Sequence, residues 1–65
     1  MLKEYIGKEI ELYPGDTYKK WGILLDYSPV GILVKITRCI SHSEYRKGDV
    51  AFFAYSARLN FKFVQ

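Results

Sequence analysis

Cysteine and histidine occur once each, as Cys39 and His42. A closed tetrahedral zinc site needs four ligands, so these two residues cannot build one. His42 stands between Ser41 and Ser43, the side chains from which a base and a nucleophile are made. Nucleophilic catalysis also needs a group that orients the base and donors for an oxyanion. The polar segment around His42 supplies neither. Asp26 has no second carboxylate or histidine near it in sequence and reads as a turn cap. Cys39 ends an apolar run and reads as a small hydrophobe that is chemically inert. These residues predict no enzyme, and they imply no cofactor and no metal.

Binding chemistry is better represented. Tyr27 and Tyr55 each fall in a predicted turn, where a ring either stacks on a base or packs on the rim of the domain. Base stacking on an aromatic side chain contributes roughly 1–3 kcal/mol and tolerates any base. Lys35, Arg38, Arg46, Lys47 and Arg58 are candidates for phosphate contacts. The formal net charge is +3 with a pI near 9.1. Its distribution is uneven: residues 1–33 carry four Lys/Arg and five Asp/Glu, whereas residues 34–65 carry six and two. A basic second half attracts phosphate, although charge of this size also suits an ordinary solvated surface.

The residues between these groups read as strands. Trp21-Gly22-Ile23-Leu24-Leu25 and Ile32-Leu33-Val34-Lys35-Ile36 are too short for helices and rich in Ile, Leu and Val. Asp26 to Gly31 lies between them as a turn: Asp26 and Ser28 cap backbone N–H groups, Pro29 fixes φ, and Gly31 permits positive φ. Leu2 to Gly7 predicts one helical turn ended by the glycine. Lys8 to Tyr13 alternates, with Ile10 and Leu12 on one face and Glu9 and Glu11 on the other. Pro14-Gly15-Asp16 is a turn, and Thr17 to Asp26 is the second strand. Gly22 within it marks a bend or a close backbone approach, and Trp21 belongs to the core or an interface. The third strand, Ile32 to Ile40, turns Ile32, Val34 and Ile36 inward and Lys35 and Thr37 outward. Ser41 to Asp49 is the longest loop, where motion is expected. Val50 to Phe53 is the fourth strand. Ala54 to Ala57 makes a 3₁₀ connection, and Leu59, Phe61 and Phe63 alternate along a fifth strand. Five short strands in one 65-residue domain predict an all-β, strongly bent antiparallel barrel.

A chain this short is marginally stable without a disulfide, a metal or a partner copy. A single cysteine forms no bridge within the chain, and it fits a reducing compartment. With 49% hydrophobic and 17% aromatic residues, the remaining aid is self-association. The apolar strand at Leu59, Phe61 and Phe63, together with Phe52 and Phe53, is the expected interface between copies. The Met1 to Gly7 segment has no apolar run of a secretory signal, and no run reaches a membrane span. The expectation is a cytoplasmic protein of a bacterium or a phage, with no membrane partner.

Three groups of residues resemble the Sm-like family of small barrels. Leu2-Lys3-Glu4-Tyr5-Ile6 before Gly7-Lys8 is similar to the family's entry helix. Gly22, Leu24 and Asp26 resemble the order of its first motif. Val50-Ala51-Phe52-Phe53, the Ala54–Ala57 turn and Leu59-Asn60-Phe61 resemble its second. The resemblance covers nearly the whole chain. It implies a ring of identical copies, the fourth strand of each pairing with the fifth of the next. It also implies binding of single-stranded RNA or a nucleotide-like ligand by Tyr27, Ser28, Lys35, Arg38, Tyr55 and Arg58. The family's turn asparagine is absent from Tyr27-Ser28-Pro29-Val30-Gly31, so little sequence preference is expected. From another functional class, the same aromatic edges suit an interaction module, such as a viral inhibitor or adaptor that binds a host or virion protein.

Overall fold

Alternation of apolar and polar residues decides the first strand. The computed structural model describes residues 2–13, 19–39 and 45–64. In β1 (Glu9–Tyr13), Ile10 and Leu12 are fully buried, while Glu9 and Glu11 lie on the opposite face. A 3₁₀ turn at Leu2–Tyr5 precedes it, and Gly7 at φ +90° ends that turn as expected. The turn is anchored by stacking of Tyr5 on Phe63, ring centres 3.7 Å apart.

β2 (Lys20–Ser28) differs from the expected strand at its far end. Asp26, Tyr27 and Ser28 are not a turn. They pair with Leu33, Ile32 and Gly31 of β3 (Gly31–Cys39), which leaves only Pro29 and Val30 as the connection. Two residues suffice to join antiparallel strands. The Ser28 hydroxyl stabilises this tight turn by accepting from Val30 N at 3.2 Å and donating to the Gly31 carbonyl at 3.4 Å. Asp26 Oδ1 accepts from Tyr27 N at 2.8 Å. Gly31 does not take the positive φ expected of it. It is required instead by proximity, because a Cβ there would lie 2.4 Å from the Phe53 carbonyl oxygen. Gly22 fulfils the expected close approach: a Cβ would lie 2.3 Å from Val34 Cγ1 and 2.6 Å from Lys35 O.

Two bulges set which side chains face the core. Pairing runs from Leu24↔Val34 to Asp26↔Leu33, so Leu25 is an extra residue. Without it, Asp26 would share the core face with Leu24; the bulge places it opposite, beside Leu33. Pairing also runs from Trp21↔Arg38 to Gly22↔Ile36, so Thr37 is extra. This alters the expected outward Thr37: its hydroxyl is buried with no hydrogen-bond partner among the described residues.

The sheet is antiparallel throughout, in the order β4-β3-β2-β1-β5. Its end strands are β4 (Val50–Ala54) and β5 (Asn60–Phe63), joined by a 3₁₀ turn at Tyr55–Ala57. β4 and β5 do not pair with each other, so the all-β expectation holds while the sheet is open. Ile10, Leu12, Leu24, Ile32, Val34, Ile36 and Phe53 form the core. Lys20 is also fully buried, its Nζ 5.1 Å from the centre of the Tyr45 ring.

Part of the expected mobile loop is tied down. Gly48 N donates to Ile36 O, and Ile36 N donates to Asp49 O, each at 2.7 Å. Asp49 Oδ2 accepts from Arg46 N at 2.8 Å. Residues 46–49 therefore close a hairpin between β3 and β4. Cys39 Sγ donates to Tyr45 O at 3.0 Å. Ser41, His42, Ser43 and the Pro14-Gly15-Asp16 turn lie outside the described residues.

Candidate functional site

The β2–β3 turn and the β4–β5 connection meet at one end of the sheet. Tyr55 N donates to Val30 O at 3.0 Å, which fixes one turn against the other. This contact brings together four of the residues expected to bind nucleic acid: Tyr27, Ser28, Tyr55 and Arg58. Tyr27 is 38% exposed at the rim. Tyr55 is half-buried and packs on the core. The Ser28 hydroxyl is engaged in the turn. Arg58 is exposed at φ +60°, a left-handed conformation that ends the 3₁₀ turn.

Beside this junction lies a cleft of about 170 Å³ lined by Asp26, Tyr27, Ser28, Leu33 and Phe52. Register explains its composition: Asp26 pairs with Leu33, and Leu33 pairs with Phe52, so one cross-strand row forms its wall. The Phe52 ring lies across Gly31, where a Cβ would meet Cζ at 2.5 Å. Phe52 is still 51% exposed, so its ring offers a free face. One carboxylate oxygen of Asp26 accepts from Tyr27 N; the other has no protein partner among the described residues. The cleft thus combines an apolar stacking surface with a hydrogen-bond acceptor, which matches a planar ring that carries an N–H donor.

Lys35 and Arg38 are placed elsewhere. They lie four and seven residues along β3 from Gly31, up to about 13 and 23 Å at ordinary strand rise. Lys35 pairs with Ile23 and Val50, and Arg38 pairs with Trp21. The residues expected at an interface are divided as well. Phe52 is exposed on the edge strand β4, with Val50 at 56%. Phe53 is 8% exposed in the core, so its side chain is not offered to a partner. Leu59, Phe61 and Phe63 are half-buried and packed against the core. With these side chains turned to the core, β5 offers a backbone edge unpaired among the described residues, and of the two end strands it is β4 that carries exposed apolar side chains, Val50 and Phe52.

The roles of Asp26, Leu33 and Phe52 in a cleft were missed in the sequence. Only the bulge at Leu25 puts them in one row, and alternation alone gives the wrong face for Asp26. Among the described residues no group of three or more His, Cys, Asp or Glu stands ready for a metal ion. No helix is long and apolar enough to cross a membrane. Comparison with models of protein families, with curated proteins and with solved structures finds no match.

Proposed function

We propose that this chain is a divergent Sm-like barrel that binds single-stranded RNA or a nucleotide-like ligand at the hairpin end of its sheet. The observation that carries the reading is the cleft beside the joined turns, where exposed Phe52 and the Asp26 acceptor face the same space. Stacking on Phe52 or Tyr27 supplies affinity without sequence preference. Arg58 adds an exposed cation at the same end. Copies associate head to tail, the unpaired edge of β4 receiving β5 of the next. The two edges are different strands, so the contact is heterologous, and a fixed rotation between copies closes it into a ring. Phe52 stands on the receiving strand, so the neighbouring β5 walls the cleft on its open side. Covering both edges also removes an aggregation hazard. The proposed setting is the cytoplasm of a bacterium, with a phage as one source of the chain.

Native mass spectrometry with a short oligouridylate tests both parts. The expected result is a closed homo-oligomer that retains the oligonucleotide; a monomer without ligand overturns the proposal. The exposed Val50 and Phe52 on an edge unpaired among the described residues favour a second reading, in which an extended segment of another protein adds to β4. A complex with one host protein that survives nuclease favours that reading over the first.

A further inference from the structure

A row of side chains crosses the outer face of the sheet at the end of β2 remote from the cleft. Cross-strand pairing sets Arg38 of β3 beside Trp21 of β2, Trp21 beside Glu11 of β1, and Glu11 beside Lys62 of β5. Four strands at about 4.8 Å spacing make a row roughly 14 Å long. Glu11 is already engaged: Lys62 and Lys19 lie 3.4 and 3.7 Å from its carboxylate oxygens. The Tyr13 hydroxyl donates to it at 2.7 Å. That hydrogen bond first, and the two lysines after it, hold the carboxyl below its ordinary pKa against the opposing effect of burial. With Lys19 beside the row, three cations against one anion leave this cluster with a charge of +2.

Arg38 is the cation in excess. Its guanidinium carbon lies 4.1 Å from the centre of the Trp21 ring, and it has no carboxylate partner among the described residues. Lys19 Nζ lies 5.1 Å from the same ring. Stacking uses the face of the guanidinium and leaves its in-plane N–H donors free. The group is therefore oriented before any ligand arrives, and its unused donors match the oxygens of a phosphodiester.

We infer that Arg38, held on Trp21, is a phosphate clamp, and that the Lys62–Glu11–Trp21–Arg38 row is a backbone-docking surface for single-stranded nucleic acid separate from the cleft. The inference rests on the nucleic-acid reading of the protein. Each phosphate neutralised steepens the salt dependence of binding, with a slope near −0.7 per contact for single strands. Bases at the cleft add affinity without adding slope.

Trp21 is the single tryptophan, so its emission reports on Arg38 directly. The experiment titrates the full chain with a fifteen-nucleotide oligouridylate, following Trp21 emission and fluorescence anisotropy across salt. Wild type, Arg38→Gln, Arg38→Lys and Phe52→Ala are compared, with circular dichroism to verify that each folds. Saturation is expected to change Trp21 emission. Arg38→Gln is expected to lose about 2.6-fold less affinity than wild type between about 50 and 200 mM salt, the effect of one lost contact. Arg38→Lys is expected to keep the wild-type slope but bind more weakly, because an ammonium lacks the fork. Phe52→Ala is expected to bind more weakly with the slope intact. Binding with unchanged Trp21 emission and an unchanged slope in Arg38→Gln overturns the clamp and leaves the cleft standing. An effect at Arg38 with none at Phe52 overturns the cleft and leaves the clamp. No binding by wild type at low salt overturns both.

Discussion

Gly31→Ala tests whether the hairpin end is packed as tightly as the structure has it. The new Cβ would lie 2.4 Å from the Phe53 carbonyl oxygen and 2.5 Å from Phe52 Cζ. A carbon and a carbonyl oxygen ordinarily approach no closer than about 3.3 Å, so roughly 0.9 Å must be made. The ring can swing aside; the carbonyl cannot, because it belongs to β4 at the point where Gly31 pairs with Ala54. Overpacking of a tight site costs about 1–3 kcal/mol. A rigid backbone partner puts this site near the upper end. Removing a glycine restrains the unfolded chain and returns about 0.4–1 kcal/mol. The net loss is about 2 kcal/mol, and at about 4–8 °C per kcal/mol the melting temperature falls by about 8–16 °C. Thermal melts followed by circular dichroism at one protein concentration measure this, since self-association shifts the melt with concentration. Adding Phe52→Ala removes the ring contact and is expected to recover only part of the loss. A Gly31→Ala melt within about 3 °C of wild type refutes the packing argument.

Gly22→Ala places a methyl 2.6 Å from Lys35 O and is expected to destabilise by a similar 1–3 kcal/mol. Gly48→Ala, with nothing within 4 Å but φ at +97°, carries only backbone strain, and its melt is expected to fall less. Glu11 has its pKa lowered in the fold, so the stability it adds is complete above the unfolded value and is lost as pH falls through the folded one. The gap in melting temperature between wild type and Glu11→Gln is therefore expected to be largest near neutral pH and to shrink below the ordinary carboxylate value of 4.5; a gap that widens on acidification contradicts this. Cys39→Ala loses a weak S–H donor to Tyr45 and is expected to cost about 1 kcal/mol, with slow thiol labelling of the native protein; fast labelling contradicts it.

The strands built on strict alternation were legible. Ile10 and Leu12, then Ile32, Val34 and Ile36, declare a buried face because the other face of each run carries charge, Glu9 and Glu11 in the first and Lys35 in the second. β2 was not legible in this way. Its inward set is Lys20, Gly22 and Leu24, and a lysine in a strand reads as solvent-facing unless its position against Tyr45 is known. The span of the turn was overread for a related reason. Asp, Ser and Gly have turn chemistry, yet only Ser28 caps the turn, from within a paired strand; Asp26 accepts from the neighbouring Tyr27 N–H, and the need for Gly31 is space. The cleft was hidden because it depends on register. Leu25 looks like any leucine, and only its bulge brings Asp26 beside Leu33 and Phe52. The same dependence separated Lys35 and Arg38 from the tyrosines with which composition grouped them.

The central claim is that an exposed Phe52 in the hairpin-end cleft holds a base. Its most direct test is fluorescence anisotropy of a labelled oligouridylate at low salt with wild type and Phe52→Ala, both verified as folded. Loss of one stacking contact of roughly 1–3 kcal/mol predicts that the variant binds at least fivefold more weakly. Equal affinity in the two proteins, or no binding by wild type, contradicts the claim.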